Sequence, residues 1–277
     1  MLNDVVVHIP ADRPADGLVD CAVSVAQAFD AHLDGFVCTY QPINPAIVVG
    51  ASTAYYAAVN QYNTDNDEAA ARLDQFEIAA RAAAITHGAR SVCDTPVLAN
   101  ESLSEISRLY DLSIVPQPDR AKPGHQDPLP ESILFNSGKP MLMVPHIHKG
   151  PLHLNRVLIC WDGGRPAARA VHDAMPFLRR AQTIDVLAVN EDAEETGQAT
   201  TAALLAHLLR HDLAAAAHHF TAPPGNIHNT ILSMAADSGA DLLVMGGYGH
   251  SRLREFILGG VTRGIFKSLT LPALISH

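Results

Sequence analysis

Two short apolar runs, Val5-Val6-Val7-His8-Ile9 and Val157-Leu158-Ile159-Cys160-Trp161, open two halves of matching design. Each run is followed by an Arg-Pro pair (Arg13-Pro14, Arg165-Pro166), then by an Ala-rich helical pattern over 17–32 or 167–181. A second strand follows in each half, over 33–39 and 184–190. Further on, Asp111-Leu112-Ser113-Ile114-Val115 parallels Asp241-Leu242-Leu243-Val244-Met245. At the ends, Lys139-Pro140-Met141-Leu142-Met143-Val144 parallels Leu271-Pro272-Ala273-Leu274-Ile275-Ser276. Strand alternating with helix at this rhythm predicts right-handed βαβ units. The fold expected is α/β: two tandem open five-stranded parallel sheets, each with helices on both faces. The join is placed within 146–154, where His, Pro and Gly cluster, which gives domains 1–149 and 150–277.

Composition narrows the function classes. Apolar residues make up 48% of the chain, enough for two cores, while aromatics at 5% favour helices packed on sheets over a β-sandwich. The formal charge of −10 argues against nonspecific binding to nucleic acid or to an anionic membrane. Almost all of it sits in 1–149, with 9 Lys/Arg against 18 Asp/Glu, so 150–277 is the better host for a polyphosphate. The four cysteines are dispersed without a Cys-x-x-Cys pair, as in reduced core positions. The amino terminus has no signal-peptide pattern and no apolar run reaches membrane-spanning length, so a soluble, cytoplasmic protein is expected.

In the second half, the buried-strand pattern 241–245 runs into Gly246-Gly247-Tyr248-Gly249 and on to Gly259-Gly260-Val261-Thr262, ahead of a helical stretch over 261–269. Glycines at a strand's carboxyl end let backbone amides approach a ligand, and the next helix turns its positive end toward an anion. The plainer alternative is a strand-to-helix turn, with Gly259-Gly260 capping a helical pattern over 252–258. The spacing is neither that of a P-loop nor that of the dinucleotide fingerprint. In the first half the corresponding stretch, 116–125, is proline-rich, and proline lacks the amide that a phosphate cradle needs. That half is not expected to bind nucleotide in the same way. Its long segment 41–66, with Pro42, Pro45, Gly50 and Tyr55-Tyr56, reads as a lid or surface loop.

Other constellations point less sharply. Asp162, at the end of the strand that opens the second half, either accepts from a ribose hydroxyl or adenine amine, or caps the helix that follows. His207 and His211 are four apart on a helical stretch, followed by His218-His219, and His146, His148 and His153 cluster near the join. No nearby carboxylate or cysteine pattern completes a metal site, so none is assigned. Hydrolytic chemistry lacks a Gly-x-Ser-x-Gly elbow, a positioned base for Ser251, or a carboxylate pair, and no catalytic residue is assigned. Cys160 reads as a core thiol.

Taken together, Cys160-Trp161-Asp162, Val189, and the run from Met245 through Gly246, Tyr248, Gly249, Gly259, Gly260 and Val261 to Thr262 resemble the nucleotide-binding signature of the universal stress protein family. The resemblance covers the second half, and the first half resembles a degenerate copy, as in tandem two-domain members. It implies a Rossmann-like fold of the adenine nucleotide alpha hydrolase type and an ATP site, with Mg, in the second half. By this resemblance Asp162 would contact the adenosine and Val189 the adenine through its backbone. The phosphates would lie on Gly246, Gly249, Gly259, Val261 and Thr262. It further implies a stress-linked regulator with a signalling protein as partner, an intramolecular pseudo-dimer that allows a further homodimer, and at most slow ATP hydrolysis. Two departures stand out. Gly260 replaces the usual Ser or Thr and removes a hydroxyl whose bond to a charged group is worth roughly 1.5–3 kcal/mol. Trp161 brings a bulky ring beside the expected base. The alternatives are a scaffold that has lost its nucleotide site, or an enzyme of nucleotidyl transfer built on the same architecture.

Overall fold

In the computed structural model the chain forms two compact units, one of Leu2–Lys139 with Lys149–Pro151 and one of Pro140–His148 with Leu152–His277. The structure describes residues 2–40, 52–119, 121, 123–191, 198–248 and 261–277, with backbone alone for 52–65 and 224. The first unit runs β1 (Asp4–Ile9), α1 (Asp16–Phe29), β2 (His32–Tyr40), α2 (Ser52–Ala82), β3 (His87–Asp94), α3 (Pro96–Ser107), β4 (Leu112–Pro116) and α4 (Leu129–Asn136). Its strands are parallel in the order β3-β2-β1-β4, with Val5 level with both Leu33 and Leu112.

The second unit starts with β5 (Met141–Val144) and continues β6 (Arg156–Trp161), α5 (Arg165–Leu178), β7 (Thr183–Val189), α6 (Thr201–Leu209) and β8 (Ala216–Phe220). It ends with α7 (Ile227–Ser238), β9 (Leu242–Gly246), α8 (Val261–Ser268) and β10 (Ala273–Ser276). The order is β5-β10-β9-β6-β7-β8. All these pairings are parallel except β5 against β10, where Leu142 faces Leu274 in antiparallel register. The strand that closes the first repeat thus lies beside the strand that closes the second. Both are short and fully buried, and a wholly apolar strand left as an open edge would expose unpaired backbone groups.

The mostly parallel open sheet with covering helices is the architecture the repeat predicted. The reason is visible in β1, β4, β6 and β9. Val5, Val6, Val7, Leu112, Ile114, Val157, Leu158, Leu242 and Val244 are all buried, so both faces of each strand are covered and the sequence reads as an unbroken apolar run. The edge strands β3 and β8 mix half-buried and exposed positions, which is why no apolar run marks them. One expectation needs correction. The backbone of 52–66 is not loop but the start of α2, whose residues contain neither Pro nor Gly; 41–51 lie outside the described residues.

Each half also carries a buried carboxylate at the third residue of its second strand. Asp34 accepts from Tyr110 Oη and pairs with His32 at 3.1 Å. Asp185 meets Arg156 at 3.2 Å and His218 at 2.8 Å. The position is repeated while the partners are not. What the site requires is that a charge out of water be paired and hydrogen-bonded, by whichever neighbour can reach it.

His8, on β1, is buried, with Nε2 at 3.2 Å from Ser107 Oγ. Burial lowers its pKa from 6.5 to about 3, so the folded protein holds the ring neutral. Between those values the unfolded chain binds a proton that the folded chain does not, so stability falls as pH drops from 6.5 toward 3. The urea midpoint is expected to decline across this range more steeply in the wild type than in His8→Leu, whose leucine has no proton to take up; equal slopes would refute the assignment.

Candidate functional site

The carboxyl ends of β6, β7 and β9 open side by side in the second unit, and the sequence places most of its polar and glycine-rich turns there. The crevice is built around a close contact. A Cβ at Gly246, the last residue of β9, would stand 2.5 Å from Ala167 N and 2.6 Å from Pro166 C. The strand therefore ends directly against the first turn of α5. After Gly247, Tyr248 adopts a left-handed backbone with φ of 52°, which costs a bulky residue on the order of 1–3 kcal/mol. Two contacts hold it there. Its N–H donates to Thr262 Oγ1 at 3.0 Å, and its ring meets Phe266 edge-on at 6.3 Å.

Thr262 lies in the first turn of α8, so that helix also begins at the exit of β9. Two helix amino ends thus meet one strand end. First-turn amides have no partner within their own helix, and each helix carries a partial positive charge at this end. Backbone thus supplies positive potential at the exit of β9, and Arg165 and Arg263 lie in the first turns of the same two helices.

Along β6 the chain ends in Cys160, Trp161 and Asp162. Burial, and then the charge of Asp162, pushes the Cys160 thiol up to about 12, so the thiolate nucleophile is not available at neutral pH. Trp161 is half-buried, and its Nε1 donates to Ala199 O at 3.0 Å. Asp162 is exposed, and its Oδ1 accepts from Gly164 N at 2.8 Å, closing an Asx turn ahead of α5. Gly163 has φ of 68°, and a Cβ there would lie 2.8 Å from Ala199 O.

Val189 ends β7, level with Phe220. Two residues beyond it escaped the sequence reading. Asn190 takes a left-handed turn with φ of 61°, and its amide group bonds Ala222 N at 2.8 Å and Ala222 O at 2.7 Å. Glu191 accepts from Thr201 N at 2.7 Å and Thr201 Oγ1 at 2.6 Å, and pairs with His219 at 3.2 Å. Desolvation pushes the Glu191 carboxyl up, but the Thr201 bonds and His219 outweigh it and hold the group below its ordinary value. An Asn directly after a buried strand, a residue that tolerates left-handed backbone, was the available signal for this turn.

The described residues expected at the site therefore converge: Cys160, Trp161 and Asp162 at β6, Val189 at β7, Met245, Gly246 and Tyr248 at β9, Val261 and Thr262 at α8. Met245 is core rather than surface, and Thr262 is buried with its hydroxyl engaged by Tyr248. Gly249, Gly259 and Gly260, with the helical pattern at 252–258, lie outside the described residues. In the first unit the comparable exit of β4 leads to a buried Gln117. There Arg13 is surrounded by Asp12 at 3.1 Å and Asp127 at 3.6 Å. Against the desolvation that pulls it down, these carboxylates and Asp119 keep the guanidinium charged, and they also consume its positive potential.

The histidines are dispersed among other tasks. His207 and His211 stack edge-on at 4.7 Å, while His218 and His219 pair with Asp185 and Glu191. Among the described residues no group of three or more His, Cys, Asp or Glu is placed to hold a metal, and no helix is long and apolar enough to cross a membrane.

Residues 153–277 match the model of the universal stress protein family. The C-terminal half is a universal stress protein domain. Within the chain, 48 residues are 38% identical to a universal stress protein of Methanocaldococcus jannaschii, covering 17% of this chain and 30% of that protein. Another alignment, of 50 residues at 34% identity, is with a universal stress protein of Synechocystis and covers 18% of this chain and 17% of that one. The chain spans less than a third of the length of these curated relatives. In three dimensions, a universal stress protein from Archaeoglobus fulgidus shares the fold over 98% of this chain and 95% of its own, with a TM-score of 0.71 at 17% identity.

The Gly246 contact in the universal stress protein domain gives a direct test. Gly246→Ala sets a methyl against backbone atoms of α5, and overpacking of this kind costs about 1–3 kcal/mol. Gly225→Ala, where a Cβ would meet nothing within 4 Å, is expected to be near neutral in the same urea titration. Equal stability of the two variants would contradict the packing described.

Proposed function

We propose that the C-terminal half binds an adenine nucleotide, ATP with Mg, and that the chain serves as a cytoplasmic stress-response regulator or partner-binding module. Residues 1–149 would form a degenerate first domain and 150–277 the nucleotide-binding one. The supporting observation is the meeting of two helix amino ends, those of α5 and α8, at the exit of β9. An anion placed there receives backbone N–H donors and two favourable helix dipoles without needing a cationic side chain.

In this reading Asp162 accepts from the ribose or the base, and the Val189 backbone faces the adenine. Gly246, Gly249, Gly259, Gly260 and Val261 approach the phosphates through their backbones. Thr262 contributes its amide, while its buried hydroxyl oxygen accepts from Tyr248 and keeps its own hydrogen to donate. Magnesium would enter with the polyphosphate. Among the described residues of the crevice the Cys160 thiol is held protonated, and Asp162 and Glu191 are engaged in turns. The role proposed is binding, with a signalling protein as the partner of the nucleotide-loaded state.

A second reading is a scaffold without nucleotide. It is favoured by the internal use of two groups the ligand would want, the Thr262 hydroxyl and Asp162 Oδ1. Titration of Mg-ATP followed by calorimetry and thermal melting separates the two. Binding at micromolar to millimolar nucleotide, weakened at least several-fold in Asp162→Ala, is expected; no heat and no stabilisation at millimolar Mg-ATP would leave the scaffold.

A further inference from the structure

We propose that Trp161 is the base platform of this site and sets its preference for a purine nucleotide over free polyphosphate. The inference rests on the nucleotide reading above and adds a specificity to it.

The register places the indole. Ile159 on β6 is the last residue level with β9, at Val244, and Trp161 and Gly246 each follow two residues beyond that pair, on the same face as it. On its other side Trp161 is level with Ala188 of β7. Residues level with one another in neighbouring strands share a face of the sheet, so the largest side chain of the row stands between a hydrogen and a methyl group. Gly246 is also where the strand meets the first turn of α5. The ring and the helix end that would face an anion are therefore neighbours across one strand spacing, about 4.8 Å.

The indole is also fixed in orientation. Its one polar atom, Nε1, is satisfied by Ala199 O at 3.0 Å, and the left-handed Gly163 admits that carbonyl where a Cβ would collide with it. With the polar edge tied, the part of the half-buried ring that remains open is apolar π-surface. A tryptophan that served only to fill the core would be enclosed, as the flanking Ala188 is at 1% exposure. A fixed, partly open aromatic face beside an anion-binding helix end suits a ligand with a flat ring at one end and phosphate at the other. Free polyphosphate has only the second.

Trp161 is the sole tryptophan of the chain, so intrinsic fluorescence reports on this position alone. The wild type is titrated with Mg-ATP, AMP, adenosine and inorganic tripolyphosphate, each followed by fluorescence and by calorimetry. The three adenine compounds are expected to quench the emission, and tripolyphosphate to bind without quenching. Trp161→Leu keeps apolar bulk and loses the π-face; Trp161→Phe keeps a smaller ring. In calorimetry Trp161→Leu should bind ATP about 10-fold more weakly or worse, with tripolyphosphate affinity unchanged, while Trp161→Phe stays within about 3-fold of wild type. ATP binding by the wild type with equal affinities in all three proteins overturns the platform and leaves the nucleotide reading standing. Absence of ATP binding to the wild type overturns both.

Discussion

The missing side chain at Gly246 is the constraint on which the crevice depends. Because nothing projects from that residue, β9 ends against backbone atoms of Pro166 and Ala167, and the amino end of α5 is drawn to the strand exit. Beyond Gly247, whose N–H still bonds Ser276 O, the chain leaves the strand. It does so through a left-handed Tyr248, held by the Thr262 hydroxyl and the Phe266 ring. That hydrogen bond fixes where α8 begins. One close approach and one hydrogen bond thus bring two helix amino ends to the exit of β9.

The same bond alters what the site can offer. A threonine ahead of a helix reads in sequence as a hydroxyl waiting for a ligand. In the fold its oxygen accepts from Tyr248 N–H and is buried, so its first task is to hold a strained turn. Asp162 is similar, with one carboxylate oxygen closing an Asx turn before α5. Polar residues at such sites often serve the backbone first and the ligand second. Each lone pair used internally is one fewer for a ligand, while the Thr262 O–H keeps its own hydrogen to donate.

The two units show what duplication preserves. Strand order around β1 and β6 is kept, and so is a buried aspartate in the second strand of each half. The partners of that aspartate differ, His32 and Tyr110 in one unit, Arg156 and His218 in the other. The crevices have diverged in charge as well. In the first unit Arg13 is encircled by Asp12, Asp127 and Asp119. In the second, Asp162 and Glu191 stand at the exits of β6 and β7, and the amino ends of α5 and α8 lie at the exit of β9. Packing constrains the repeated core closely, whereas loops at strand ends tolerate change and carry function.

What the sequence determined by itself was the central architecture and the strand ends at which a site is proposed. Strands buried on both faces must be apolar throughout, so β1, β4, β6 and β9 announce themselves, and a glycine-rich stretch after β9 marks the ligand end of a parallel sheet. The edge strands β3 and β8 were silent because half their residues face water. The helical start of α2 at Ser52 was hidden by the Pro42, Pro45 and Gly50 that precede it in sequence, and the antiparallel seat of β5 beside β10 by its dependence on a strand far away in the chain. Tertiary structure alone decided what each site residue touches. Thr262 turned inward, Met245 became core, and Trp161 was tied to Ala199, because hydrogen bonds between residues 14 or 38 positions apart leave no local pattern to read.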